Sequence, residues 1–421
     1  MRTPKILTTL RTYSGSLFMA DILAGLTVAM VALPLSLAIA IASGAPPAKG
    51  LITAVIGGFL ISLLGGSRVQ IGGPTGAFIV VVFGVIAQFG YDGLVLATFM
   101  AGVILLVAGY FRAGNLIAYV PESVVNGFTI GIGMIIALSQ LKDFLGLSIE
   151  SVPADFFEKI PTLWHAKETL SLPSLAIALL TVGMIIALRK GAPRLPGLLL
   201  ATAIGSALVV AAGLPVETIT SRFGELPNSL PQPHLPALSL ARMAELLPSA
   251  LVIAFLTGVE SLLSAMVADK MIAGKHRPNA ELTAQGVANL ASSLFAGLPV
   301  TGAIARTATN IKAGGKTPVA GLVHALVILL VMYVAAPAAG YLAMPALAAL
   351  LMVTAWNMTE PHKWKDYAKG ETSDKVLLLL TLTLTVLVDL TVAIGTGVAL
   401  GLALRLSRRK EIKSDWTPPT R

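Results

Sequence analysis

Long apolar runs, interrupted by glycine, proline and short charged stretches, divide this chain into fourteen segments. They lie near residues 21–43, 49–66, 74–88, 93–111, 115–141, 172–188, 195–213, 245–268, 279–297, 302–312, 317–336, 340–357, 374–390 and 392–407. Strand-like alternation is weak, and Leu, Ala and Gly abound. The pattern therefore predicts transmembrane helices of roughly 20 residues, not barrel strands. The third and tenth segments are too short to cross a hydrocarbon core about 30 Å thick. They are the expected half-helices, beginning inside the membrane.

The third segment opens on Val69-Gln70-Ile71-Gly72-Gly73-Pro74-Thr75-Gly76-Ala77-Phe78. A short polar run and two glycines precede Pro74, which suits a first helical position because its missing N–H would be unpaired there. A helix start exposes free N–H groups and the positive end of the dipole, and so attracts anions. Thr75-Gly76-Ala77 recurs as Thr301-Gly302-Ala303, an offset of 226 residues, at the start of the other short segment. The same offset carries the first segment onto the eighth.

Basic residues set the topology. With the N-terminus cytoplasmic, 23 of the 30 Lys and Arg fall in inside segments and 6 in outside ones, Arg306 lying within a span. That bias predicts fourteen spans with both termini cytoplasmic. The outside loop 143–171, with Phe156, Phe157 and Trp164, is expected to lie along the interface as a short amphipathic piece. The Pro-rich stretch 214–240 reads as an extended external connector between residues 1–213 (spans one to seven) and 241–408 (spans eight to fourteen), with 409–421 a cytoplasmic tail. Seven spans per half is an odd number, so the second half is inverted relative to the first. Inverted repeats are characteristic of alternating-access transporters.

Composition agrees. Hydrophobic residues make up 55% of the 421 and charged ones 12%, against about 25% charged in soluble domains. Mean hydropathy is +0.83. There is no cysteine, which excludes disulfides and thiolate chemistry. The net charge of +9 is spread over loops as topology signal, so no nucleic-acid partner is expected. Residues 310–317 resemble a phosphate-binding loop, but Asn310 stands where its first glycine belongs and no strand precedes it. No hydrolase, zinc-protease or dinucleotide motif occurs, so an enzyme is not expected and no cofactor is implied.

Three polar residues in apolar spans are the candidates for chemistry. Glu260 lies mid-span, where a carboxylate costs several kcal/mol unless paired, solvated or protonated. It reads as a proton or cation site, or as a structural interhelical bond. Ser264, four residues on, shares its helix face, and the two with free carbonyls suit Na⁺; the carboxylate alone suits H⁺. Arg306 follows the second Thr-Gly-Ala by three residues. It either offers charge to an anionic substrate or pairs with Glu260. His324 and Asp389 are expected to make local helix–helix hydrogen bonds. Gly127, Gly131 and Gly133 are expected to pack closely.

These pieces together resemble the sulfate permease (SulP) family of anion transporters over nearly the whole chain. The most specific are Asp21–Ala29 with Leu33-Pro34, the Gly-Gly-Pro-Thr-Gly-Ala run, and Asn289–Pro318. The resemblance implies an all-α integral membrane fold of two inverted seven-span repeats. A core domain would hold spans one to four and eight to eleven, and a gate domain the other six. It also implies elevator-type movement, a homodimer, and, with the charge bias, a plasma membrane location (the inner membrane in a bacterium). The anion would sit between the third and tenth spans. Thr75, Gly76, Ala77 and Phe78 would line one side, and Thr301, Gly302, Ala303, Ile304, Ala305 and Arg306 the other. Glu260, with Ser264, would take the coupling H⁺ or Na⁺. The implied function is secondary active transport of a small anion of the sulfate, bicarbonate or dicarboxylate class. Its alternatives are a nucleobase-type symporter of the same architecture and an uncoupled anion channel or exchanger. Two departures stand out. Leu35 replaces a glutamine common after the first-span proline. The chain also ends soon after its last span, where most members continue into a cytoplasmic STAS domain, as in a truncated or naturally short form.

Overall fold

The computed structural model describes residues 3–115, 121–149, 152–153, 156–192, 195–388 and 390–407. Asp389 and the expected tail 409–421 therefore lie outside the described residues. The first half runs α1 (Lys5–Thr9), α2 (Gly15–Ala42), α3 (Pro47–Leu64), β1 (Gly72–Gly73), a 3₁₀ turn (Gly76–Phe78), α4 (Ile79–Tyr110), α5 (Glu122–Leu145), α6 (Phe156–His165), α7 (Leu172–Gly191) and α8 (Gly197–Ala211). After α9 (Ile219–Phe223) come α10 (Leu240–Ile272), α11 (Pro278–Leu294), β2 (Thr301–Gly302), α12 (Ile304–Lys312), α13 (Val319–Gly340), α14 (Met344–Met358), α15 (Trp364–Lys369), α16 (Thr372–Leu387) and α17 (Leu390–Ser407).

Among the described residues, seven helical stretches are long and apolar enough to cross a membrane: α2, α3, Gly76–Tyr110, α5, α7, α10 and α13. The expected third and fourth spans form that single stretch, broken at Gly90, whose φ of 74° and ψ of 177° no helix contains. Local signals place the ends. Ser14 caps α2 through the Leu17 amide, Pro47 and Pro278 open α3 and α11, and Gly146 closes α5 in the left-handed region. The short amphipathic piece expected in 143–171 is the ten-residue helix α6. The connector 214–240 is extended except for α9, which a Thr218–Ser221 capping box nucleates.

Helix packing divides the molecule into two groups. One contains α2, α3, α4, α10, α11, α12 and α13, the other α5, α7, α8, α14, α16 and α17. Small residues permit the closest crossings. A Cβ on either Gly102 of α4 or Gly286 of α11 would come 2.9 Å from the other's carbonyl oxygen. In the second group, a Cβ on Gly127 would meet Leu378 O at 2.6 Å and one on Gly133 would meet Ala355 O at 2.9 Å. That is the close packing expected of the fifth span. Contacts between the groups run mainly through α2, against α8 and α14.

The two strands, which the apolar pattern did not predict, join the halves. β1 pairs antiparallel with β2, Gly72 opposite Gly302 and Gly73 opposite Thr301. The pairing extends through the Ala303 amide, which donates to Ile71 O at 2.8 Å.

Candidate functional site

The strand pair sets two helix starts beside each other in the middle of the first helix group. On one side the chain is still extended at Thr75 (φ −122°, ψ 157°) and turns helical at Gly76. Pro74 is therefore not the first helical residue as expected; pairing at Gly72–Gly73 holds the chain extended two residues longer. On the other side Ala303 caps α12, which begins at Ile304. The two Thr-Gly-Ala copies thus differ locally: the first enters its helix, whereas Thr301 and Gly302 of the second form the strand.

The strands are crossed by side chains that only glycine admits. A Cβ on Gly73 would lie 1.9 Å from Arg306 Nη1, and one on Gly302 would lie 1.7 Å from Gln70 Nε2. Arg306 is 2% exposed. Its Nη2 donates to Pro74 O at 3.0 Å and to Ser36 Oγ at 3.2 Å, while Nε and Nη1 are buried with no hydrogen-bond partner among the described residues. The guanidinium offers five N–H groups in a fixed fork, so donors remain at the strand crossing. Ser36 follows Leu35, the departure from the family pattern, and supplies a polar contact one residue on.

Glu260 and Arg306 do not form the ion pair that was one alternative. Instead Thr75 Oγ1 donates to Glu260 Oε2 at 2.7 Å. Both residues are half-buried, so the carboxylate faces the first helix start rather than the arginine. Ser264 points elsewhere: fully buried, it donates to Thr307 Oγ1 at 3.2 Å, with no bond to Glu260. Thr307 in turn accepts from the Ile71 amide at 3.0 Å.

Of the ten expected lining residues, Thr75, Gly76, Ile304 and Ala305 reach accessible surface. Ala77, Phe78, Thr301, Gly302, Ala303 and Arg306 are buried behind them. Thr301 spends its hydroxyl on Thr257 O at 2.9 Å, which fixes β2 to α10. Across the seam, the second helix group presents Met358 Sδ and Ile136 Cδ1, 3.3 and 3.8 Å from a Cβ placed on Gly76. Neither carried any signal in the sequence, being ordinary apolar residues of apolar helices.

A buried carboxylate that sequence reading missed holds the scaffold. Glu281 Oε2 accepts from the Gly66 and Ser67 amides at 2.7 and 3.1 Å. Its Oε1 accepts from Gln70, Ser261 and Gln285 at 2.9–3.0 Å. Asn310 Nδ2 donates to Val69 O at 2.8 Å. These bonds pin residues 66–71, which lead into β1, to α10, α11 and α12. Glu281, Gln285 and Asn289 recur every four residues, the spacing of one helix face, and that was the available signal. His324 departs from expectation. It is fully buried, yet neither ring nitrogen has a hydrogen-bond partner among the described residues.

Two helix starts side by side, a buried guanidinium and a carboxylate thus lie within the bundle of apolar helices of an integral membrane protein. The sequence profile of the Sulfate permease family matches residues 18–381. The chain belongs to the sulfate permease family. It is 45% identical over 368 residues to YvdB of Bacillus subtilis (strain 168), whose name carries a provisional assignment as a sulfate transporter, covering 87% of this chain and 69% of that one. It is 35% identical over 327 residues to the bicarbonate transporter BicA of Picosynechococcus, covering 75% of this chain and 57% of BicA. The fold matches the solved transmembrane domain of a cyanobacterial BicA with a TM-score of 0.80 at 29% identity, over 93% of this chain and 98% of that domain. It also matches SLC26A9 with a TM-score of 0.86 at 19% identity, over 96% of this chain and 68% of SLC26A9, a likeness of fold alone.

Proposed function

We propose that the protein is a secondary active transporter of a small anion of the sulfate, bicarbonate or dicarboxylate class, coupled to H⁺ or Na⁺ through Glu260. The observation that carries this reading is the strand pair β1–β2. It sets two helix starts side by side, with Arg306 crossing behind them and Thr75 bonded to Glu260. Free helix N–H groups and a buried guanidinium with spare donors favour an anion and need no specific base-reading side chain. Ala77, Phe78, Ile304 and Ala305 offer no polar groups to read a nucleobase edge, which disfavours the symporter alternative.

Coupling follows from charge. An anion held by the amides next to Thr75 would stand about 5–6 Å from the Glu260 carboxylate, a repulsion of roughly 3 kcal/mol at an effective dielectric of about 20. Neutralising Glu260 with H⁺ or Na⁺ removes it, so cation and anion favour each other's binding reciprocally. An uncoupled channel or exchanger would need no such carboxylate.

The remaining architecture extends the reading. The helix groups act as a core (α2–α4 and α10–α13) and a gate, the sparse contacts between them being the sliding surface of an elevator. Fourteen segments in two inverted halves, cytoplasmic termini in a plasma membrane and a homodimer complete the proposal. A thermal-shift panel on purified protein tests it, using sulfate, bicarbonate, dicarboxylates and uracil at two pH values with and without Na⁺. Anions should raise the midpoint, with a dependence on pH or Na⁺. Stabilisation by uracil and not by anions would contradict it.

A further inference from the structure

Arg306 presents its donors unequally. The guanidinium stands edge-on to β1: a Cβ placed on Gly73 would lie 1.9 Å from Nη1, 3.1 Å from Cζ and 3.8 Å from Nη2. Nη1 therefore leads at the strand crossing, and Nη2 lies behind it. Nη2 is the end with acceptors, Pro74 O at 3.0 Å and Ser36 Oγ at 3.2 Å. Nε and Nη1 are buried with no partner among the described residues.

This division decides what contact the arginine can make. A guanidinium grips a carboxylate through two parallel N–H bonds. Its two edges of that kind are Nε with Nη2 and Nη1 with Nη2, so Nη2 belongs to both. Two hydrogens on Nη2 meet two acceptors, and neither edge is left complete. What remains are separate single donors on Nε and Nη1. Of the two acceptors, Pro74 O is main chain, so only Ser36 is set by a side chain. Ser36 is fully buried on α2, and α2 packs against α12, which keeps the hydroxyl on the guanidinium.

We propose that Ser36 is a positioning residue that withholds the Arg306 fork from the anion. The site then binds through single donors and helix N–H groups, and selects by charge and size rather than by a flat pair of oxygens. Formate and chloride, both small monoanions, meet the same charges there and are both accepted. Removing the hydroxyl returns one Nη2 hydrogen, completes one edge and turns the site toward two-oxygen anions. The inference deepens the proposed anion-transport reading and rests on it.

The test is the inhibition of radiolabelled sulfate or bicarbonate uptake into proteoliposomes by formate and by chloride. The readout is the ratio of the two inhibition constants, formate over chloride, in which a general loss of folded protein or of affinity cancels. Ser36→Ala should lower the ratio about tenfold, the size of one added hydrogen bond to a charged group. Ser36→Cys, close in shape but a weak acceptor, should lower it in the same direction and serves if Ser36→Ala packs poorly. Ser36→Thr keeps a hydroxyl and should hold the ratio within about twofold of wild type. In an Arg306→Lys background there is no fork to release, so Ser36→Ala should leave the ratio unchanged. A wild-type ratio in both Ser36→Ala and Ser36→Cys would overturn the positioning role. So would an equal shift in Ser36→Thr or in the Arg306→Lys background, or wild-type uptake that neither formate nor chloride inhibits. Failure of the wild type to carry sulfate or bicarbonate at all would instead overturn the anion-site reading, and this proposal with it.

Discussion

Thr75 and Glu260, 185 residues apart in the chain, meet through a 2.7 Å hydrogen bond from hydroxyl to carboxylate. The bond ties the start of the first short helix to the middle of α10. In the proposed mechanism it also lets the occupancy of one site be felt at the other. Glu260→Gln keeps an acceptor for Thr75 but removes the charge. Anion affinity is expected to rise by up to about a hundredfold, the equivalent of the roughly 3 kcal/mol repulsion lost. Uptake should at the same time lose its dependence on the H⁺ or Na⁺ gradient. Tracer uptake under imposed gradients checks this; gradient dependence equal to that of wild type would remove Glu260 from the coupling role.

Gly73 makes room for Arg306. A methyl group there would overlap Nη1 at 1.9 Å, so Gly73→Ala must displace the guanidinium from the strand crossing. Overpacking of this kind costs about 1–3 kcal/mol. The expected outcome is a modest fall in the thermal midpoint with a larger loss of anion affinity. A control at Gly84, whose Cβ would meet nothing within 4 Å, should change neither.

Glu281 accepts five hydrogen bonds while fully buried. Glu281→Gln turns one acceptor oxygen into a donor facing donors. Breaking a buried charged network costs about 3–5 kcal/mol, read as a lowered midpoint in detergent. Because the network holds residues 66–71 and not the substrate, the surviving folded fraction should keep its anion affinity.

Much of this architecture was legible in the amino-acid pattern. Apolar runs ended by Gly, Pro and charge placed the helices, and the break at Gly90 falls in the expected gap between the third and fourth segments. Glu260 and Arg306 stood out because charge in an apolar span is costly wherever it occurs. The strand pair did not stand out, since two residues rich in glycine have neither periodicity nor side-chain bulk to signal pairing. Thr301 belonged to the repeated motif, yet its hydroxyl serves β2–α10 packing, which only the register of the strands reveals. Ser264 followed helical spacing onto the face of Glu260, but the bulk of α12 gives it Thr307 as a partner instead. The Glu281, Gln285 and Asn289 face was readable from its spacing of four, whereas Ile136 and Met358 are indistinguishable from their apolar neighbours until the two helix groups are packed together.

The central claim is that the paired helix starts and Arg306 form one anion site. Uptake of radiolabelled sulfate and bicarbonate into proteoliposomes, comparing wild type with Arg306→Ala and Arg306→Lys, tests it most directly. Wild type should accumulate at least one of the two anions. Arg306→Ala should lower Vmax/KM by about a hundredfold, as expected for losing a buried, charge-assisted donor set. Arg306→Lys should recover part of that loss, as a point charge without the planar fork. Unchanged anion affinity and uptake in Arg306→Ala would contradict the account.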